Sequence, residues 1–244
     1  KELGEIKIIS HDKIKSNRSF LFSNQINVQN VSFSYPEKKD KIFKGVNLNI
    51  RKGDFIGIQG ISGSGKSTLI DIILGLLEPS EGQILVDGQD IKKNTLGWQK
   101  NISYVPQNVF LTDDKLSRNI AFGINDNDID LKKIKQAVEQ AELDTYVSSL
   151  PQGLDTELGE RGARLSGGQK QRIGIARALY NQQEILVLDE TTSSLDSETE
   201  NRIINTIKKI QKNKTVIIIS HNKELMNICK NIYSISKKQL IKIK

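Results

Sequence analysis

The sequence predicts an α/β fold in which a parallel sheet is flanked by helices, and three observations carry that expectation. The first is a glycine-rich run at a strand-to-helix junction. Apolar Phe55-Ile56-Gly57-Ile58 leads into Gly60-Ile61-Ser62-Gly63-Ser64-Gly65-Lys66-Ser67-Thr68, and a helix-length segment, Leu69-Ile70-Asp71-Ile72-Ile73-Leu74, follows. The second is a pair of strand-length runs with no polar residue, Ile185-Leu186-Val187-Leu188 and Val216-Ile217-Ile218-Ile219. Strands covered on both faces look like this, and such strands belong to parallel sheets. The third is that strand and helix patterns alternate through the core.

The bulk properties set the limits. A chain of 244 residues suffices for one large α/β domain, or for a core with a smaller subdomain. Hydrophobic residues make up 36 % and mean hydropathy is −0.40, which predicts solubility. The longest apolar runs fall far short of the ~20 residues that span a bilayer, and no signal peptide is visible. One cysteine, Cys229, excludes an internal disulfide, fits a reducing compartment, and is expected to be a small buried apolar residue. The net charge of +7 sits largely in Lys-rich tails at both ends, so no nucleic-acid partner is expected from it. The chain starts at Lys1 and its only methionine is Met226, which suggests the C-terminal piece of a longer polypeptide.

Taken in order, residues 1–24 are polar, mixed in charge and without period, and read as a linker. Ile26 to Phe33 alternates as a half-buried strand does, and Ile42 to Ile50 reads as a second strand. Tyr35 stands just after the first, before Pro36. Ile84-Leu85-Val86 with Asp87-Gly88 is a strand and tight turn, and Ile102-Ser103-Tyr104-Val105 a strand ending at Pro106-Gln107. From Thr112 to about Leu165 the pattern turns helical, with Ile134, Ala137, Val138 and Ala141 at helical spacing between Lys132 and Glu142. A helix opens after Gly167-Gly168, another spans Ser197 to Ile210, and a short one spans Asn222 to Cys229.

The run from Gly60 to Thr68 fits the P-loop pattern G-x-x-x-x-G-K-[ST]. Glycine lets the backbone take positive φ and wrap an anion closely, and the amides freed at the helix N-terminus point at phosphate oxygens. Gly60, Ser62, Gly63, Ser64, Gly65, Lys66, Ser67 and Thr68 are therefore expected to hold a nucleotide's phosphates. Lys66 would reach the β- and γ-phosphates and the Ser67 hydroxyl would ligate Mg²⁺. A Gly/Ser-rich turn without a ligand is the plainer alternative. Two carboxylates, Asp189 and Glu190, end the apolar run at 185–188, and buried charge must be paired or metal-bound. Asp189 suits Mg²⁺ held through its waters, and Glu190 suits a base that takes a proton from the attacking water. An acidic pair at a helix N-terminus is the other reading of that dipeptide.

Leu165-Ser166-Gly167-Gly168-Gln169 then matches the signature motif of ATP-binding-cassette ATPases, placed ahead of the Asp189-Glu190 strand as that family has it. From about Ile26 onward the chain resembles that family throughout. The resemblance implies a P-loop NTPase core with a parallel sheet flanked by helices, an N-terminal antiparallel β-subdomain and an inserted helical subdomain at about 112–165, within an ATPase domain over 25–244. It implies ATP and Mg²⁺ as cofactors. It also implies that Tyr35 stacks on adenine, that Gln107 senses Mg²⁺ and contacts a membrane partner, and that His221 touches the γ-phosphate beside the catalytic Glu190 and Lys66. Ser194-Leu195-Asp196 matches the loop that crosses between subunits. Ser166, Gly167, Gly168 and Gln169 would bind the γ-phosphate held by a second copy, in a head-to-tail homodimer. His11 has no such match and is expected to be solvated.

Thr156-Glu157-Leu158-Gly159-Glu160-Arg161-Gly162 resembles the T-E-V-G-E-R-G segment of the family's exporters, and the chain looks most like flippases of lipid-linked oligosaccharides and lipid or peptide exporters. Two departures stand out: Ser220-His221-Asn222 in place of Ala-His-Arg, and Thr191-Thr192-Ser193-Ser194 in place of Ala-Thr-Ser-Ala. Neither removes a catalytic group. The expectation is the ATPase domain of a membrane exporter, at the cytoplasmic face of the inner (plasma) membrane. Its partners would be a transmembrane domain of the same polypeptide and a second ATPase copy. An importer subunit should begin with its own methionine and lack the segment at 157–162. A soluble cassette ATPase acting on nucleic acid or ribosomes should carry a coiled-coil insertion or a second cassette. A non-hydrolytic binding module would not need Glu190 and His221.

Overall fold

Alternate side chains of a strand point to opposite faces, so a strand that is apolar at every position needs cover on both. The computed structural model, which describes residues 20–36, 40–192, 195–210 and 214–244, supplies that cover. The expected linker over residues 1–19, His11 and Ser194 lie outside these residues. Strands β1 (Gln25–Phe33), β2 (Phe43–Arg51), β4 (Glu81–Val86) and β5 (Gln89–Asp90) form an antiparallel sheet in the order β2-β1-β4-β5. Strands β3 (Phe55–Gln59), β6 (Ile102–Val105), β7 (Ile185–Asp189), β8 (Thr215–Ile219), β9 (Asn231–Ser236) and β10 (Gln239–Lys242) form the second sheet, in the order β10-β9-β3-β8-β7-β6. Its pairings are parallel except β9 with β10.

The second sheet divides the core. Leu186, Leu188, Val216 and Ile218 face a cluster that includes Ile134 and Val138 of α4 (Leu131–Gln140) and Ile173 and Ala176 of α6 (Gly167–Asn181). The same cluster takes in Ile203 and Ile207 of α7 (Ser197–Ile210) and Leu225 of α8 (Lys223–Ile228). Ile185, Val187, Ile217 and Ile219, one residue out of step, face the other side. There they meet α1 (Lys66–Ile73) and the apolar face of the antiparallel sheet. Helix α4 shows its expected buried stripe, and Asp130 caps it by accepting from the Lys132 and Lys133 amides. Short helices α2 (Thr95–Gln99), α3 (Leu116–Ile120) and α5 (Asp144–Ser149) complete the set. Cys229 is buried as expected, and burial pushes its thiol up to about 12.

Two stretches differ from the sequence reading. Within residues 20–24, assigned to the linker, Phe20 and Phe22 are buried. Phe20 and Phe22 stand edge-on to Trp98 with ring centroids 5.9 and 6.3 Å away. The Asp87 carboxylate accepts from the Ser23, Asn24 and Gln25 amides at 2.6, 3.0 and 2.8 Å. Phe20-Leu21-Phe22 is an apolar run of only three residues, too short to set a period, and its partner Trp98 is far along the chain. The Lys-rich C-terminus, read as a tail, is the β9–β10 hairpin, with Lys237 and Lys238 at positive φ in its turn. Lys242 on β10 suits an edge strand, where charge discourages pairing with other chains.

Trp98 joins the N-terminal segment to α1, because it is fully buried and its Nε1–H donates to the Ile73 carbonyl at 2.8 Å. Trp98→Ala should cost about 3–5 kcal/mol in chemical denaturation. A loss under ~1 kcal/mol would show that the site collapses around the deletion and that the joint contributes little.

Candidate functional site

The loop between β3 and α1 is shaped by two glycines in the left-handed region, Gly63 (φ +76°) and Gly65 (φ +97°). A Cβ on Gly65 would lie 2.5 Å from Ile42 Cγ2, so only glycine lets the loop press against the start of β2. No side chain caps α1, which leaves its first amides to a ligand. Lys66 is only 6 % exposed, and a buried ammonium must be paired. Its Nζ donates to the Gly60 and Ile61 carbonyls at 3.0 and 3.2 Å, folded back into the middle of its own loop. Ser64 carries a buried hydroxyl with no hydrogen-bond partner. A cradle too tight for a Cβ, uncapped amides and a central ammonium fit a polyphosphate.

The loop borders a cleft of ≈ 320 Å³ that Tyr35, Ile42, Gln107 and Glu190 also line. The Tyr35 hydroxyl lies 3.2 Å from Thr68 Oγ1 and its ring meets Phe33 edge-on at 5.0 Å, an anchored aromatic at the cleft wall. Glu190 has φ +50°, a left-handed conformation that costs a non-glycine residue about 1 kcal/mol or more. Its amide donates to the Ile219 carbonyl at 2.9 Å, which ties the strained residue to β8. Three groups converge on its carboxylate. Gln107 Nε2 donates to Oε2 at 2.9 Å, Lys66 Nζ is 3.9 Å from Oε1, and His221 Nε2 is 3.7 Å from Oε1.

Asp189 closes β7 and is buried. Burial raises its pKa, opposed by hydrogen bonds to the Ser67 and Tyr104 hydroxyls; the Tyr104 contact is 3.5 Å to Oδ2. Burial, then Asp189 and Asp71, push the Tyr104 phenol up. Asp71, one turn beyond Ser67, is raised by burial and by repulsion from Asp189. The acidic dipeptide is no helix start, since α7 begins at Ser197. Among the described residues no group of three or more His, Cys, Asp or Glu could hold a metal ion. The oxygen donors of Ser67, Asp189 and Gln107 suit Mg²⁺, which takes few protein ligands and completes its shell with phosphate and water.

The other predicted residues lie elsewhere on the chain. Ser166 and Gln169 form a reciprocal cap at the start of α6: Ser166 Oγ accepts from the Gln169 amide at 3.2 Å, and Gln169 Oε1 from the Ser166 amide at 2.8 Å. Ser166 and Gly167 are exposed, Gly168 and Gln169 half-buried, and none of the four lines the cleft. Asp196 caps α7, accepting from the Thr199 amide at 2.9 Å, and that bond holds its pKa low. One face of α6 grips the chain after Gln107. Gln171 Nε2 donates to the Gln107 carbonyl, a Cβ on Gly174 would lie 2.6 Å from Val109 Cγ2, and Arg177 Nη2 donates to the Phe110 carbonyl at 3.1 Å. Sequence reasoning missed Gln171, Tyr104 and Asp71. A polar Gln171 on the helix face that also carries Gly174 and Arg177 was the available signal for it.

Residues 43–193 match the family model described as ABC transporter. The chain is 37 % identical over 217 residues to ABC transporter B family member 29, chloroplastic, of Arabidopsis thaliana, covering 88 % of this chain and 34 % of that protein. It is 36 % identical over 195 residues to the ATP-dependent lipid A-core flippase of Ralstonia nicotianae, covering 79 % of this chain and 33 % of that protein. A solved structure of a bacterial Atm1-family ABC exporter with ATP bound is similar at a TM-score of 0.87 and 33 % identity, over 93 % of this chain and 40 % of that one. The chain spans only part of the curated relatives it matches, from 14 % to 38 % of their length.

The raised pKa of Asp71 has a sign that can be tested. The folded state binds its proton more tightly than the unfolded state, so stability falls as pH rises from about 4, the unfolded value, through the folded value. Asp71→Asn should therefore raise the melting temperature near pH 7.5 (a pH well above that window) and leave it little changed near pH 4. Equal shifts at both pH values would show that its charge carries no penalty.

Proposed function

The chain belongs to the ABC transporter family, and from that premise we propose that it binds and hydrolyses ATP to power export or flipping of a substrate across a membrane. One observation supports the reading above the rest: Gln107, Lys66 and His221 all face the Glu190 carboxylate beside a loop built for polyphosphate.

On this reading ATP enters the cleft with its adenine on Tyr35 and its phosphates over the amides of α1. Lys66 exchanges the Gly60 and Ile61 carbonyls for the β- and γ-phosphates. Mg²⁺, held by Ser67, Asp189 and Gln107, would neutralise charge developing on the phosphates. Glu190 takes a proton from a water whose oxygen bonds to the γ-phosphorus as the bond to the ADP oxygen breaks. His221 steadies the γ-phosphate. The exposed cap at Ser166 belongs to a second copy's reaction, its amides and hydroxyl facing that copy's γ-phosphate in a head-to-tail dimer. Among the described residues no helix is long and apolar enough to cross a membrane, and the substrate would be handled by a transmembrane domain of the same polypeptide. The resemblance of 156–162 to exporters, and relatives whose names include a flippase and an exporter, support outward movement or flipping at the cytoplasmic face.

Glu190→Gln should bind ATP with near-normal affinity and lose on the order of 10²–10⁴-fold in hydrolysis. Turnover within a few-fold of the parent would remove Glu190 from the role of base. Light scattering on this variant should show monomers doubling in mass when Mg·ATP is added, and a mass that ignores nucleotide would overturn self-dimerisation. Ser166→Arg should abolish hydrolysis without weakening ATP binding by the monomer; a large loss of monomer affinity would put Ser166 in its own chain's site.

A further inference from the structure

We propose that Tyr104 is a positioning residue for Asp189: its hydroxyl holds Oδ2 and fixes the carboxylate in the orientation that presents it to a divalent cation. This rests on the reading above that Asp189 faces Mg²⁺. The geometry comes from strand register. Strand β6 runs parallel to β7 with Tyr104 opposite Val187 and Val105 opposite Leu188, so the end of β6 lies alongside Asp189 and Glu190. Two donors three residues apart on one segment therefore meet two consecutive carboxylates. Tyr104 Oη donates to Asp189 Oδ2 at 3.5 Å, and Gln107 Nε2 to Glu190 Oε2 at 2.9 Å.

The aspartate needs such a hold. The terminal torsion of a carboxylate is broad, so an untethered Asp189 would spread over many orientations. Ser67, which also bonds it, is itself a proposed metal ligand and comes from α1. Asp71 repels Asp189 from the same helix. Tyr104 reaches Asp189 from β6, and as a neutral phenol it donates without adding a charge that would compete for the cation. Groups that orient a metal's ligands commonly set its affinity by about 10–100-fold.

The test titrates Mn²⁺, as a spectroscopic stand-in for Mg²⁺, into the ATP complex of the whole chain by electron paramagnetic resonance, with ATP binding measured separately in EDTA. Tyr104→Phe should weaken Mn²⁺ about ten-fold and leave metal-free ATP binding unchanged. Tyr104→Leu, which loses the hydroxyl with a different shape, should shift metal affinity in the same direction. Parental Mn²⁺ affinity in either variant overturns the proposal, and so does an equal loss of ATP binding in EDTA, which would mark a packing role. Asp189→Asn run in parallel separates the two levels. If it leaves Mn²⁺ affinity intact, the metal role of Asp189 fails; if it abolishes binding while Tyr104→Phe does not alter it, only the role of Tyr104 fails.

Discussion

A lysine only 6 % exposed, its ammonium turned into its own loop, is the constraint on which this structure turns. Desolvating a cation costs several kcal/mol unless oxygens replace the lost water. Lys66 finds them in two carbonyls of its own loop, Gly60 and Ile61, and in the nearby Glu190 carboxylate. Those carbonyls turn inward only because the chain reverses through Gly63 and Gly65, and Gly65 has room only because it lacks a Cβ against Ile42. The start of the antiparallel sheet thus helps to shape a loop that belongs to the parallel one.

The same constraint explains why the chemistry gathers where it does. Ligands of open α/β sheets bind beyond the carboxyl ends of the strands. Here β3 delivers Gly60, β6 delivers Gln107, β7 delivers Asp189 and Glu190, and β8 delivers His221, from neighbours in the order β3-β8-β7-β6. No long-range folding accident is needed to assemble the cleft. Register does it: Leu188 lies opposite Val105 on one side and Ile218 on the other, which brings the ends of three strands to one level. The left-handed backbone at Glu190 is held there by its bond to Ile219, so the strain is spent on aiming one carboxylate.

Much of this was legible in the sequence because it is local. The phosphate loop, the acidic pair after an apolar strand and the signature at a helix start are each contiguous, and each needs particular residues for a reason of backbone geometry or charge. What the sequence hid is long-range. Tyr104 reads as an ordinary strand residue until β7 is laid beside it, and Asp71 as a polar interruption of an apolar helix until Asp189 is near. Phe20 and Phe22 lie some 76–78 positions before their partner Trp98. The β9–β10 hairpin was masked by lysines, two in its turn and one on its edge strand, which together look like the composition of a tail.

The signature and the cleft lie apart on one chain, yet α6 joins them mechanically. Its first turn carries Ser166 and Gln169, and its next two turns grip the chain just after Gln107 through Gln171, Gly174 and Arg177. The middle contact decides how stiff the joint is. With Val109 seated where a Gly174 Cβ would be, the loop cannot slide toward the helix without a clash, and the flanking bonds to backbone carbonyls resist separation. A displacement of Gln107 large enough to release Glu190 would therefore strain α6 as well. Close packing passes such strain on because interiors have little slack. The reciprocal cap at Ser166 makes the far end of that helix equally well defined, so the element proposed to meet a second nucleotide is braced against the loop proposed to read the first.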